Sequence, residues 1–141
     1  MGIVMRSNQD GRPLIRARDL NMPPSGVPGP LNAITDVPGV EVGMVTVIRD
    51  TETATARTGV TAILPRGKSG VGVPCAAATY SLNGNGEMTG RAWIDESGSL
   101  SLPIAITNSH SVGAVHRGVD EWLARVSREV AAQWMLPVVA E

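Results

Sequence analysis

Within residues 101–131, SLPIAITNSHSVGAVHRGVDEWLARVSREVA, the apolar pattern changes its period in mid-run. Pro103-Ile104-Ala105-Ile106 is a short continuous apolar run, the pattern of a buried strand. Thr107-Asn108-Ser109-His110-Ser111 follows as a polar elbow. Val112, Val115, Val119, Trp122, Leu123, Val126 and Val130 then recur three or four apart, with Arg117, Asp120, Glu121, Arg125 and Arg128 between them. That is an amphipathic helix with one face for a core and one for water. A buried strand feeding such a helix needs a sheet to dock on, so the chain reads as α/β or α+β. Ser109 or Ser111 is placed to accept from the helix's free amides as N-cap. Hydroxyls, an amide side chain and a histidine beside those amides suit an anion or a developing oxyanion.

The core such a unit requires is available but of restricted chemistry. Hydrophobic residues make up 43% of the 141, yet only 3% are aromatic and Phe is absent, so the interior must be built of Val, Ile, Leu, Ala and Met. The length fits one domain or a piece of one. A net charge of -1 and the lack of a Lys/Arg cluster give no nucleic-acid footprint. Cys75 is the single cysteine, which excludes an intrachain disulfide and a cysteine-based metal cage; in Pro74-Cys75-Ala76-Ala77-Ala78 it reads as a small buried hydrophobe. No leader pattern opens the chain and no run approaches the ~20 apolar residues of a membrane span. The expectation is a cytoplasmic protein with neither nucleic-acid nor membrane partners.

Along the chain, residues 1–30 read as an irregular N-terminal segment ending in the Pro/Gly-rich NMPPSGVPGP. Residues 31–141 carry the strand and helix patterns, a mixture that reads as α/β or α+β with glycine-rich connections. Val40 to Ile48 alternates, with apolar residues on both sides, as in a strand buried on both faces for part of its length. Arg49 to Arg57 reads as a hairpin loop, Thr58 to Leu64 as the second strand, and Val73 to Ser81 as a third strand of small residues. Asn83-Gly84-Asn85-Gly86 predicts positive φ angles and a cluster of exposed N–H groups. Thr89 is placed to cap a short helix through Trp93-Ile94-Asp95-Glu96, which Gly98 stops. Val138-Val139-Ala140 reads as a last strand that runs into Glu141 in mid-course.

Known catalytic patterns are scarce. His110 and His116 lie six apart and so on different helix faces, and no HExxH occurs. No GxxxxGK[ST] loop is present. A triad of Ser109 or Ser111, His110 and Asp36 lacks a GxSxG elbow. No metal and no cofactor is expected.

Six segments taken together are more specific. Residues 32–43 (NAITDVPGVEVG), 58–65 (TGVTAILP), 81–90 (SLNGNGEMTG), 93–98 (WIDESG), 107–113 (TNSHSVG) and 136–141 (LPVVAE) resemble, in order, the DmpA-type aminopeptidases. That group includes the D-aminopeptidase/L-aminopeptidase D-Ala-esterases and the β-peptidyl aminopeptidases. The resemblance runs from about residue 14 to the end of the chain. It implies a four-layer α/β/β/α sandwich, shared with ornithine acetyltransferase, of which residues 31–141 would form an incomplete α/β sandwich domain. It also implies a precursor that cleaves itself into α and β chains, with the new N-terminal Ser of the β chain as nucleophile and its own amine as base.

Only the first part of the α chain is matched, so no catalytic residue is expected here and the nucleophile is expected downstream. The single Gly-Ser pair, Gly98-Ser99, does not match the family's cleavage site. Substrate recognition is what this part would carry. An aminopeptidase must hold a free ammonium, and a buried carboxylate does so by charge pairing. Glu141 is the first candidate. Asn83, Asn85 and Glu87, with Asn108, Ser109 and His110, are candidate walls of the cleft. Expected partners are short peptide, amide or ester substrates, the remainder of the α chain, the β chain, and further copies in a homo-oligomer. The alternatives are an inert truncated fragment or pseudoenzyme, a structural partner of another chain, and, lower, an acyltransferase of the same architecture.

Overall fold

The alternating run that begins at Val40 carries on as strand β1 over Glu41–Asp50, two residues past its expected end at Ile48. Its partner β2, Thr55–Leu64, likewise starts early, and the two pair antiparallel from Glu41↔Leu64 to Asp50↔Thr55. The hairpin loop is therefore residues 51–54 rather than Arg49 to Arg57. Thr51 closes it: its N–H donates to Ala54 O at 2.8 Å and its hydroxyl oxygen accepts from Ala54 N at 2.9 Å. Local side-chain bonds of this kind let a turn be shorter than polarity suggests.

The structure, a computed structural model, describes residues 15, 17–20, 26–133 and 135–141. Trp134 and parts of the expected N-terminal segment (residues 1–14, 16 and 21–25) lie outside the described residues. The chain divides into two compact units, Met1–Asp36 and Val37–Glu141. The first contains two short 3-10 turns, Ala17–Leu20 and Ile34–Asp36. The Asp36 carboxylate closes the second by accepting from Leu31 N at 2.9 Å and Ala33 N at 3.1 Å.

The second unit is mixed α/β. After β2 come β3 (Cys75–Ala76), helix α1 (Arg91–Ser97), β4 (Ser99–Leu100), β5 (Ile104–Ile106), helices α2 (Val112–Val126) and α3 (Arg128–Ala131), and β6 (Val138–Ala140). The main sheet has the order β1-β2-β5-β6, with β5 antiparallel to β2 and parallel to β6. Parallel neighbours need a crossover, and α2 with α3 supplies it. β3 and β4 form a separate two-stranded sheet.

Register places Val60, Ala62, Ala105 and Val139 on one face of the main sheet. α2 packs there, and Ala105, Val139 and Val112 form one core cluster with Val60, Val115 and Val119 against it. The opposite face carries Ile104 and Val138, which join Ile94 of α1 and Leu100 of β4 in a second cluster. Each fully buried Val or Leu side chain contributes roughly 1.5–3 kcal/mol. The core sits over β5 and β6.

Several expectations are corrected. β1 is not buried on both faces: Met44 and Val45, on opposite sides, are 59% and 66% exposed. It is an edge strand, and neither α1 nor α2 reaches over it. The third strand shrinks from Val73–Ser81 to two residues, because its partner β4 is itself only two residues long. The long helix breaks at Ser127, whose φ of -152° leaves the helical region, and whose hydroxyl accepts from Val130 N to start α3. In consequence Val126 turns outward, 53% exposed, and leaves the apolar stripe. Gly90, not Thr89, is the N-cap of α1, and Ser111 at the N-cap of α2 makes no side-chain cap bond. Gly98 does end α1, at φ 64°. Neither Gly84 nor Gly86 has a positive φ. The Asn83 side chain organises that turn instead, accepting from Asn85 N at 2.9 Å. No helix among the described residues is long and apolar enough to cross a membrane.

Candidate substrate-recognition rim

The parallel pairing of β5 and β6 brings their C-terminal ends out side by side, Ile106 opposite Ala140. In open parallel α/β sheets the crevice beyond the carboxyl ends of the strands is where ligands bind; here β5 and β6 are the one parallel pair of the main sheet among the described residues. β5 delivers Thr107 and Asn108, then the short 3-10 turn Ser109–Ser111 and the start of α2. β6 delivers Glu141. The Thr107 N–H donates to Ala140 O at 2.9 Å, so the two exits are tied together.

On the far side of β6 the Asn-Gly loop arrives. Met88 bridges to Ala140. Thr89 then anchors the loop to the strand: its N–H donates to Val139 O (3.0 Å), its hydroxyl donates to Pro137 O (2.7 Å) and accepts from Val139 N (2.9 Å). This places the Glu87 N–H 3.3 Å from Glu141 Oε1, to which it donates. A side chain at Gly86 would stand within 3.7 Å of Glu141 Cγ. On the other side of β5, the Thr107 hydroxyl donates to Gly59 O at 3.0 Å and the Asn108 amide donates to Thr58 Oγ1 at 2.6 Å. Four segments therefore share one rim, in the order 58–59, 107–108, 140–141 and 86–87.

Of the candidates named from sequence, Glu141, Glu87 and Asn108 stand on this rim. Asn83 and Asn85 lie further back in the same loop, and Ser109 and His110 in the turn that leads to α2. All seven are exposed. For Glu141 this differs from the buried carboxylate looked for: among the described residues none closes over the strand ends. The Glu87 carboxylate bends back to its own backbone, Oε1 accepting from Met88 N at 2.9 Å. Three residues that hold the rim, Thr58, Thr89 and Thr107, are not legible as such in the sequence: Thr89 reads locally as a helix cap, and nothing local marks a threonine whose partner is about fifty residues away.

The rim's chemistry is that of recognition. The Glu141 carboxylate, oriented by a backbone N–H, is an acceptor for a cation. No side chain caps the first turn of α2, which continues directly from the 3-10 turn Ser109–Ser111. Beside Asn108 a groove of about 380 Å3 opens along the sheet, lined by Met44, Arg57, Thr58, Gly59, Ile106 and Thr107 among others. A larger groove, about 640 Å3, lies elsewhere, between α2 and the first hairpin, and includes none of the candidate residues. Among the described residues no group of three or more His, Cys, Asp or Glu is placed to hold a metal ion.

Comparison with known proteins bears on what such a rim serves. The model of peptidase family S58 matches residues 32–141. The chain is 50% identical over 131 residues to the beta-peptidyl aminopeptidase BapA of Sphingosinicella microcystinivorans, covering 89% of this chain and 32% of that one. To the protein of the same name from Sphingosinicella xenopeptidilytica it is 47% identical over 133 residues, 89% of this chain and 33% of that one. Among solved structures, the L-aminopeptidase D-Ala-esterase/amidase of Ochrobactrum anthropi, described as a variant of the Ntn hydrolase fold, superposes with a TM-score of 0.80 at 46% identity, over 89% of this chain and 37% of that one. A Burkholderia sp. beta-aminopeptidase gives 0.78 at 46% identity, over 90% and 36%. The chain spans about a third of the length of these relatives.

Proposed function

Because the chain belongs to peptidase family S58, we propose that it forms the N-terminal part of a self-processing serine aminopeptidase that releases N-terminal residues from short peptides, amides or esters. The observation that carries this reading is the extent of the match: half of the aligned residues are identical to a beta-peptidyl aminopeptidase across 89% of this chain, and the aligned stretch is only 32% of that relative. The nucleophilic serine, freed as the N-terminus of a β chain, belongs to the remaining polypeptide. Its own amine takes the hydroxyl proton as it attacks the carbonyl. The second sheet and second helix layer of a four-layer sandwich belong there too.

In this reading the rim holds the substrate's amino end. Glu141 pairs with the ammonium, and the Glu87 N–H fixes the carboxylate's orientation. Once the remaining polypeptide closes over the rim, the pair is desolvated and gains strength. Asn83 and Asn85, with Asn108, Ser109 and His110, line the approach. The assembled αβ units form a homo-oligomer.

The test is a chimaera in which this chain replaces the matching third of a 50%-identical relative. The chimaera should cleave itself and hydrolyse aminoacyl p-nitroanilides, and Glu141→Gln should raise KM with a smaller change in kcat. The isolated 141 residues should give no turnover. A chimaera that folds and processes but does not hydrolyse would make this chain an inert member of the family. Turnover by the isolated chain, abolished by a serine-acylating inhibitor, would place the nucleophile within it.

A further inference from the structure

β6 is the last strand of the main sheet, so one of its edges has no neighbouring strand among the described residues. The Val138 N–H donates to Pro103 O and Ala140 O accepts from Thr107 N, so these two residues face β5. Pro137 and Val139 between them face the open edge. Both are fully buried, where an unpaired backbone group would be costly. A single residue takes all three outward groups. The Thr89 N–H donates to Val139 O, and its hydroxyl donates to Pro137 O and accepts from Val139 N. A small hydroxyl side chain suits this place because one oxygen both donates and accepts. The branch at Cβ keeps it in one rotamer. Helix α1 leaves that hydroxyl free for β6, since its N-cap is Gly90 and no side chain caps it. Gly90 serves the same close approach: its φ is 71°, and a Cβ there would lie 2.9 Å from Leu136 O.

We propose that Thr89 is a positioning residue for recognition of the substrate's ammonium: it pins residues 86–88 against β6 and so sets where the Glu87 N–H meets the Glu141 carboxylate. The proposal rests on the role given to Glu141 above. Among the described residues this N–H is the one hydrogen-bond partner of the Glu141 side chain. Only two residues separate the anchor from that contact, a span of at most ~7 Å. Met88, between them, bridges to Ala140 and leaves little slack. A shift at position 89 is therefore passed on to the Glu87 N–H.

Without the anchor the exposed Glu141 side chain regains its rotamer freedom, and holding it against the ammonium then costs more entropy. The ammonium is held before the reaction and through it, so the loss falls on KM rather than on kcat. A threonine that served the sheet edge alone would behave differently. Its removal would lower stability and the yield of assembled enzyme, and the molecules that did assemble would keep their KM.

The experiment uses the chimaera described above, with active sites counted by a serine-acylating inhibitor. Thr89→Val keeps the shape and removes the hydroxyl, whereas Thr89→Ser keeps the hydroxyl. Thr89→Val should raise KM for aminoacyl p-nitroanilides about tenfold with kcat within about twofold, and Thr89→Ser should leave both within about twofold of the parent. In a Glu141→Gln background Thr89→Val should add less than about twofold, because the two residues act as one unit. A fall in kcat with KM unchanged, a full effect added on top of Glu141→Gln, or no rescue by Thr89→Ser would overturn the proposal and leave the role of Glu141 standing. A Glu141→Gln chimaera whose KM is unchanged would sink both together. A measurement on the 141-residue chain needs no assembly. There Thr89→Val should speed amide exchange at Val139 and Glu87 at least about tenfold and leave Val138, which faces β5, unchanged. Uniform loss through β5 and β6, or an unchanged Glu87 amide, would make Thr89 a structural residue alone and overturn the proposal.

Discussion

The two halves of the main sheet are made of similar residues and meet different surroundings. In the β5–β6 half, Ala105 and Val139 have no exposed surface and Val138 has 2%, because α2 covers one face and α1 with β4 covers the other. In the β1–β2 half, Met44, Val45 and Ile48 are 59%, 66% and 48% exposed. Yet β1 is the longer and more regular strand, and its apolar residues fall on both sides as they do in a covered strand. An apolar residue on a pleat records that a cover is needed, and says nothing of where the cover comes from. The first hairpin is held by its backbone ladder and one tight turn. The second half is held by side chains.

Breaking the covered half should have the largest effect. Leu123, a residue of α2, is fully buried, and Leu123→Ala should destabilise the isolated chain by about 2–5 kcal/mol in urea unfolding. A cost below about 1 kcal/mol would mean that α2 is not what holds this half together.

Next in size is a change that attacks the bare half through its backbone. A Cβ at Gly59 would lie 2.4 Å from Val45 O, the backbone of the paired strand. Gly59→Ala should cost about 1–3 kcal/mol through this overpacking and should weaken amide protection in β1 and β2 before that in β5 and β6. Equal loss in both halves would show that they unfold as one unit.

Val45→Ala should then change stability by less than about 0.5 kcal/mol in the isolated chain, since its side chain touches little. A cost above 1 kcal/mol would reveal a cover on this face that the chain makes for itself, in a second copy or otherwise, and light scattering would tell the two apart.

The smallest effect concerns the open end of the hairpin. The Arg57 guanidinium, 2.8 Å from the Asp50 carboxylate, holds that carboxyl below its usual range, with Thr55 assisting and slight desolvation opposing. A lowered carboxyl pKa stabilises the folded state above the unfolded group's pKa of about 3.9, and the contribution is lost as pH falls through the lower folded value. Asp50 should titrate below the ordinary aspartate value in a carbon-detected NMR titration, and Asp50→Asn should remove the acid sensitivity of the nearby amides. Titration of Asp50 at the ordinary value would show that the pair is not formed in solution.

How much was legible before the fold was known differs by scale. The strand–elbow–helix unit at 101–131, the first hairpin and the last strand follow from period and turn chemistry. So does the stop at Gly98, because only a glycine sits easily at φ 64°. The break at Ser127 was missed because the valines continue at helical spacing past it, and a serine that leaves a helix to cap the next one looks like a serine on its exposed face. The role of Thr89 was missed because its partners, Pro137 and Val139, are about fifty residues away.

Family membership and the presence of Glu141, Glu87 and Asn108 as candidates are written in the sequence, since a motif is a local string of residue types. That these three stand on one rim was decided by the parallel pairing of β5 with β6 and by the bridge from Met88 to Ala140. Which strand would be covered was also decided there. Periodicity fixes the face a side chain takes, because alternation is built into each strand. Burial depends on whether another element lies opposite that face, and only the packed chain determines it.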